Sequence, residues 1–303
     1  MRAARVMGSR DDRHVPDLSL PPTFAVVGLG LLASIGWGFS DFGGGLTSRH
    51  APVLGVLGGS QAASLVVGIP LLFVVHEPTM RPLDVGISVA GGILGSSGLV
   101  LLYRGLSTGR MGVVAPVAAV LTATIPVVFG FVTEGLPSLL ALVGIGAAAA
   151  SVVLVSRPSD HADDRPSGLA YAVGAGTLFG LFTVVVSGLD DAFIISPLIV
   201  IRVASIALIG GWILVRRPAW RVPRRLWPAL LAVGVGDMTA TALYLTAIAV
   251  GPLAIAAILS SLYPVVTTVL ATVVLRERVT PAHAAGIVAA GVAVALIAGG
   301  SAT

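Results

Sequence analysis

The sequence alternates long apolar stretches with short polar connections. Each stretch is about 20 residues long, which is the length that an α-helix needs to cross the hydrocarbon core of a bilayer. Charges, prolines and glycines bound ten such stretches, and this pattern predicts an all-α membrane protein with ten transmembrane helices. The predicted spans are residues 24–43, 52–75, 84–103, 112–132, 136–156, 168–188, 193–215, 227–250, 252–275 and 281–299.

Two polar segments set the predicted domain boundaries. Residues 1–22 contain four arginines, three aspartates and a terminal Pro-Pro pair, and we interpret them as a polar N-terminal tail. Because the apolar run that follows is longer than a signal-peptide core, we expect the first span to be retained. The segment RPSDHADDRPS, residues 157–167, is the predicted linker, and it leaves five spans on each side. The predicted domains are therefore five-helix units at 23–156 and 168–299.

Landmark residues recur in the same order in both halves of the chain. Trp37 with Gly38 is matched by Phe179 with Gly180 at a separation of 142 residues. Further pairs, separated by 138 to 143 residues, are Gln61/Arg202, Ser64/Ser205, Tyr103/Tyr244, Pro126/Pro264 and Glu134/Glu277. Since each half has an odd number of predicted spans, the second half enters the membrane from the opposite side, and the predicted repeat is inverted. Inverted repeats are typical of transporters that bind their substrate between the two halves.

Composition supports a membrane protein and excludes several kinds of site. Hydrophobic residues make up 56% of the chain and charged residues 11%, and the mean hydropathy is +1.00. The formal charge of +4 is spread over connections between apolar runs, so we expect no nucleic-acid partner. The chain has no cysteine, which excludes disulfides, thiolate metal sites and cysteine nucleophiles. We predict no metal site and no cofactor.

Glycine pairs with GxxxG spacing recur in the predicted spans. This spacing lets two helix backbones approach closely, so we interpret the pairs as packing positions. The pairs are Gly55/Gly59, Gly91/Gly95 and Gly176/Gly180.

Two motifs of soluble enzymes occur, but their surroundings argue against catalysis. Gly28, Gly30 and Ala33 have the spacing of a dinucleotide-binding turn, yet they lie inside one long apolar run. The sequence GLSTG at 105–109 has the spelling of a nucleophile elbow, but it falls in a predicted short loop with no strand before it. We therefore predict that the protein is not an enzyme, and an intramembrane hydrolase using Ser107 is the least favoured hypothesis.

Three charged residues interrupt the predicted spans. Arg202 lies near the middle of its span, where an arginine costs about 2.5–3.5 kcal/mol on insertion scales, so it should face a bundle interior or a wet cavity. Asp237 lies near the middle of the eighth span, and Asp41 lies toward the end of the first. Two interpretations stay open: a structural ion pair between Arg202 and Asp237, or an Arg202 anchor for an anionic group with a proton-sensitive aspartate beside it.

Aromatic and amide side chains complete the candidate site. Trp37 and Tyr263 are expected to line a mixed apolar and polar cavity of the kind that binds small organic ligands. Tyr103 and Tyr244 either join them or anchor the chain at the membrane interface. Gln61 occupies the position of the arginine in the other half, so we expect the polar end of a substrate to dock toward the second half. The predicted substrate-binding residues are Trp37, Asp41, Gln61, Arg202, Asp237 and Tyr263.

The second half carries motifs that resemble a known family. They are a Pro-Val pair at Pro264, Glu-Arg-x-Thr from Glu277 to Thr280, and glycines five residues apart at Gly286 and Gly291. Together with an arginine in the second helix of a repeat, these motifs resemble the EamA-type ten-helix transporters of the drug/metabolite transporter superfamily. The resemblance covers both predicted five-helix units.

The resemblance implies a secondary transporter rather than an enzyme. We expect an exporter of a small metabolite or drug-like molecule that works by alternating access between inverted repeats in the inner cell membrane. Its expected partners are a small-molecule substrate and the lipid bilayer, with proton coupling and a homodimer left open. A non-transporting membrane scaffold is the second hypothesis.

Arginine counts and the resemblance favour opposite orientations. An inside N-terminus places five tail and loop arginines in the cytoplasm and twelve on the other side, whereas the positive-inside rule favours the larger number inside. The resemblance implies that both termini are cytoplasmic, and we adopt that orientation as the prediction.

Overall fold

The computed structural model describes residues 22–75, 77–134, 167–190, 192–250, 259–276 and 281–301, with a few positions between 139 and 150 and Ala256. Over these residues the chain is helical and contains no strand. The described helices are α1 (Pro22–Ser48), α2 (Val53–Val74), α3 (Pro82–Thr108), α4 (Met111–Glu134), α5 (Leu169–Val186), α6 (Ile195–Arg216), α7 (Trp227–Val250), α8 (Tyr263–Val274) and α9 (Pro281–Ser301).

Six of the described helices are long and apolar enough to cross a membrane: α1, α2, α3, α5, α6 and α7. Large apolar residues on these helices, such as Phe73, Leu214 and Val215, are more than 70% exposed. Apolar side chains exposed in this number are expected to contact lipid rather than water. The protein is therefore a multi-pass membrane protein.

The all-helical fold class is confirmed over the described residues, but the predicted number of ten spans is not, since six described helices qualify as membrane spans. The fifth predicted span, 136–156, lies mostly outside the described residues, as do the predicted tail and linker. The ninth predicted span, 252–275, is wrong as one continuous helix, because a turn at 261–262 precedes α8. Pro264 lies in the first turn of α8, where its missing N–H and fixed φ are tolerated, whereas in a continuous helix it would disrupt the preceding turn.

The first helix of each half packs along helices of the other half. α1 runs antiparallel to α7, since Gly36 lies against Ala240 and Gly43, further along α1, lies against Val233. α1 also contacts α8 at Gly38, where a Cβ would lie 2.5 Å from Val266 Cβ. These contacts require the two helix backbones to approach closely.

α5, the first helix of the second half, packs in the same way against two helices of the first half. It runs antiparallel to α3, since Gly91 lies against Phe182 and Gly105 lies against Tyr171. It also contacts α4 at Gly176, whose missing side chain leaves room for the Ala118 backbone. Five of the six glycines in the predicted pairs lie at contacts with another helix, which confirms their interpretation as packing positions, whereas Gly55 lies against the Trp220 backbone in a loop.

The second helix of each half also packs against the other half, at equivalent positions. A Cβ at Gly92 of α3 would lie 2.6 Å from the Ile201 carbonyl oxygen of α6. A Cβ at Gly234 of α7 would collide with the Ser60 carbonyl of α2. Gly92 and Gly234 are 142 residues apart and Ser60 and Ile201 are 141 apart, so the two contacts match in the predicted repeat.

Candidate functional site

One cavity between the two halves contains all six predicted site residues. Its empty volume is about 690 Å³, which includes space open to solvent. The wall is contributed by α1 to α8, and α8 contributes through its N-terminal end. We call this space the central cavity. The six predicted residues on its wall are Trp37, Asp41, Gln61, Arg202, Asp237 and Tyr263.

Arg202 forms an ion pair with Asp237 across α6 and α7. Its Nη2 lies 2.9 Å from Asp237 Oδ2 and donates a hydrogen bond to Thr241 Oγ1 at 3.2 Å. Thr241 in turn donates to the backbone oxygen of Asp237 at 2.7 Å. The side chains of Arg202 and Asp237 are 5% and 14% exposed. The ion-pair interpretation is confirmed, and the charge of Arg202 is balanced within the protein.

Asp41 faces the same cavity from α1 without such a balance. It lies one helical turn after Trp37 and is 6% exposed. Within the described part of the chain, no hydrogen bond or ion pair reaches its carboxyl group. Burying an ionised carboxylate without a partner is costly, so a bound proton or cation would stabilise it. A proton or cation bound at Asp41 would therefore balance a charge that the described residues leave unpaired.

Gln61 makes the two halves of the cavity chemically different. It lies on α2 at the position equivalent to Arg202, is 2% exposed, and its Oε1 accepts no hydrogen bond from any described residue. Gly95, which also lines the cavity, is 142 residues before Asp237. The first half therefore offers an amide and open space where the second half has an ion pair.

The break before α8 brings polar groups to the cavity wall. Ser260 precedes the turn, Ser261 lies in it and Tyr263 follows it, and all three line the cavity. Tyr263 is 4% exposed. A broken helix near a cavity is a recurrent device of transporters, because the freed backbone groups and short side chains face the ligand space.

Tyr103 and Tyr244 lie behind the cavity rather than at its surface or at the membrane interface. They are 1% and 0% exposed, so the interpretation as interface anchors is wrong. The Tyr103 ring packs on Gly44, one turn after Asp41. The centroid of the Tyr244 ring lies 5.3 Å from that of Trp37. Both rings fix the cavity face of α1.

Comparison with known proteins finds a family that the second half of the chain resembles. The model of the EamA-like transporter family, which is part of the drug/metabolite transporter superfamily, matches residues 166–299. This segment is therefore similar to an EamA-like transporter domain, and we call it the EamA-like domain. A solved crystal structure, described only as that of a protein, matches 89% of this chain and 95% of its own with a TM-score of 0.64 and 19% identity. That similarity concerns the fold alone. No curated protein matches the chain.

The EamA-like domain contributes cavity residues that we did not predict. Phe179, Phe182 and Thr183 of α5 all line the central cavity. The repeat could have predicted two of them, since Phe179 is the equivalent of Trp37 and Thr183 lies 142 residues after Asp41. An isolated aromatic residue in an apolar span gives no such signal, which explains why Phe182 was missed.

A second polar cluster joins the EamA-like domain to the first half at one membrane face. Glu77, in the loop after α2, accepts hydrogen bonds from three backbone N–H groups where α6 begins, those of Ile194, Ile195 and Ser196, at 2.7–2.9 Å. Burial raises the pKa of Glu77, but these hydrogen bonds outweigh it and hold the pKa below its usual value. The carboxylate therefore caps α6 from the other half of the chain.

Arg81 adds an ion-pair network beside this cap. Arg81 Nε lies 2.6 Å from Asp84 Oδ2, and Arg81 Nη1 lies 3.3 Å from Asp190 Oδ2. The Asp190 backbone N–H also donates to Asp84 Oδ1 at 3.3 Å. We call Glu77, Arg81, Asp84 and Asp190, with the α6 N–H groups that Glu77 binds, the loop clasp. Sequence reasoning missed it because its partners lie more than 100 residues apart.

The enzyme motifs lie in ordinary helix. Gly28 and Gly30 are within α1, and the described residues directly before them, from Pro22 onward, are helical rather than a strand. Ser107 lies in the last turn of α3 rather than in the predicted loop, and its hydroxyl donates to the Arg104 carbonyl at 3.1 Å. The geometry of a nucleophile elbow is therefore absent at Ser107.

Proposed function

We propose that this protein is a secondary transporter that exports a small metabolite or drug-like molecule by alternating access across the inner cell membrane. The observation that carries the proposal is the central cavity, which is enclosed by equivalent helices of the two halves and lined by charged and aromatic side chains. The EamA-like domain supports a membrane transporter.

The helix directions support inverted repeats. The C-terminal end of α2 lies beside the start of α6, where Glu77 caps the α6 backbone. The N-terminal end of α2 lies beside the loop that follows α6, where the Trp220 backbone packs on Gly55. The second helices of the two halves therefore run antiparallel. Two inverted units of similar packing energy can rock around a fixed cavity, which is the basis of alternating access.

The test is transport by purified protein in liposomes. Proteoliposomes are loaded with a mixture of amino acids, amines, sugars and carboxylates. They should release a subset of these compounds faster than protein-free liposomes loaded with the same mixture, as measured by mass spectrometry. Gly95→Leu should block release because the new side chain fills the cavity. Gly210→Leu is the matched control, since a Cβ at Gly210 meets nothing within 4 Å.

Folded wild-type protein that releases none of the compounds would refute the proposal. Equal loss of release in the Gly95→Leu and Gly210→Leu variants would refute the role of the cavity. A non-transporting scaffold would produce the first result.

A further inference from the structure

We infer that the central cavity selects organic monocations, such as protonated amines with an apolar body, and that Asp41 is the residue that sets this preference. This inference rests on the proposed transport function and names its substrate class.

The charged side chains on the described wall leave one negative charge without compensation. They are Asp41, Arg202 and Asp237. Arg202 and Asp237 neutralise each other at 2.9 Å. Asp41 has no such partner, so the wall carries a net charge of −1 when its carboxyl group is ionised.

A bound monocation brings the cavity to neutrality, whereas other ligand charges do not. An anion would add a second uncompensated negative charge close to Asp41, and like charges that lie close together among buried side chains repel each other. A neutral or zwitterionic ligand would leave the charge of Asp41 unbalanced. Arg202 adds no net positive charge that would attract an anion, because its Nη2 already pairs with the carboxylate of Asp237.

The aromatic side chains fit the same ligand class. Trp37, Phe179, Phe182 and Tyr263 line the cavity around Asp41. Aromatic faces attract organic cations through the ring quadrupole and also bury an apolar body. Phe179 and Phe182 carry no hydrogen-bond donor for a zwitterion's carboxylate, and the Trp37 indole N–H already donates to Thr241 Oγ1 at 3.3 Å. These three rings therefore add affinity for a cation without adding affinity for a carboxylate.

The charge of the cavity can be altered from the opposite helix. Gln61 faces the cavity from α2 at the position equivalent to Arg202. Replacing it with arginine would bring the net charge of the wall from −1 to zero. Gln61→Arg is therefore expected to weaken cation binding even though Asp41 is untouched, and to change selectivity more than folding.

The experiment compares ligands that differ mainly in charge. The probes are benzylamine and benzyltrimethylammonium as cations, benzyl alcohol as the neutral compound, benzoate as the anion and phenylglycine as the zwitterion. Binding is measured on the purified full-length chain by the shift in melting temperature and by calorimetric titration. The two cations should bind more tightly than the other three. Asp41→Asn and Gln61→Arg should each weaken benzylamine binding by roughly tenfold or more.

The control variant is Asp163→Asn in the predicted linker, which removes one negative charge outside the predicted spans. It should bind benzylamine as the wild type does. Circular dichroism and size-exclusion profiles of each variant establish that it is folded. Asp41→Glu is the second variant for the case that Asp41→Asn is unstable. It keeps the negative charge, so it should retain benzylamine binding.

Tighter binding of benzoate or phenylglycine, no binding of either cation, or unchanged benzylamine binding in folded Asp41→Asn would overturn the inference. Transport of the same probes in proteoliposomes separates the two proposals. Cation binding without transport contradicts the proposed function alone. Transport of the anion or of neutral compounds in preference to cations contradicts the substrate class alone.

Discussion

At the scale of single residues, Arg202 and Asp237 stabilise the protein only as a pair. Each would be a costly buried charge alone, and their atoms lie 2.9 Å apart. Asp237→Asn should therefore destabilise the protein by about 3–5 kcal/mol, because Arg202 loses its counter-charge. Arg202→Gln combined with Asp237→Asn should cost less than either single change.

A double-mutant cycle on the melting temperature of the purified protein measures this coupling. The control is Ser187→Ala at the end of α5, a residue that does not line the cavity. Additive losses from the two single changes would show that the pair contributes no coupling energy.

Sequence reasoning found the polar part of the site because charge in an apolar span is costly. Arg202, Asp41 and Asp237 stood out for that reason, and Gln61 stood out through the repeat. All of them line the central cavity, although their role in substrate binding stays a prediction. Phe182 carried no comparable signal, since an aromatic residue costs nothing in an apolar span.

At the scale of helices, Glu77 links the stability of α6 to pH. The carboxylate accepts three backbone hydrogen bonds at the positive end of the helix dipole. Because its pKa is lowered in the folded protein, this stabilisation is present above its ordinary pKa of about 4.3 and is lost as pH falls through the folded-state value. Glu77→Gln should cost about 1 kcal/mol at pH 7.

Thermal unfolding of wild type and Glu77→Gln from pH 3 to pH 7 tests this prediction. The difference in melting temperature should be largest at neutral pH and should vanish at the acid end. Arg217→Gln, in the loop after α6, is the control for a general change in charge. A difference that is constant with pH would show that the carboxylate charge does not matter.

Hydropathy predicted where helices lie better than where they break. The bounds of α2, α6 and α7 agree with the predicted spans to within about two residues, because their length and apolar content are sufficient to predict them. The break before α8 was missed since the flanking residues are apolar on both sides. Pro264 could have indicated the break, because proline lacks a backbone N–H and has a fixed φ. A hydropathy average does not take these backbone properties into account.

At the scale of the whole molecule, the two halves of the chain are held together by different interactions at the two membrane faces. One face has the loop clasp, in which Glu77 and Arg81 of the first half bind groups of the second half. At the opposite face, the Trp220 backbone packs on Gly55. An alternating-access cycle must separate these contacts in turn, so we expect the loop clasp to favour the state that is closed at its own face.

Removing the clasp should therefore open the cavity toward that face. The chain has no cysteine, so Ser96→Cys provides a single thiol on the cavity wall. In proteoliposomes, Glu77→Gln with Arg81→Gln should raise the labelling rate of this thiol by a membrane-impermeant reagent added at the clasp face, and should lower it from the other face. The opposite changes follow because opening one side depletes the state that is open to the other. Arg217→Gln, at the other end of α6, should leave both rates unchanged, and a rise from both faces would indicate loss of packing instead of a shift between access states.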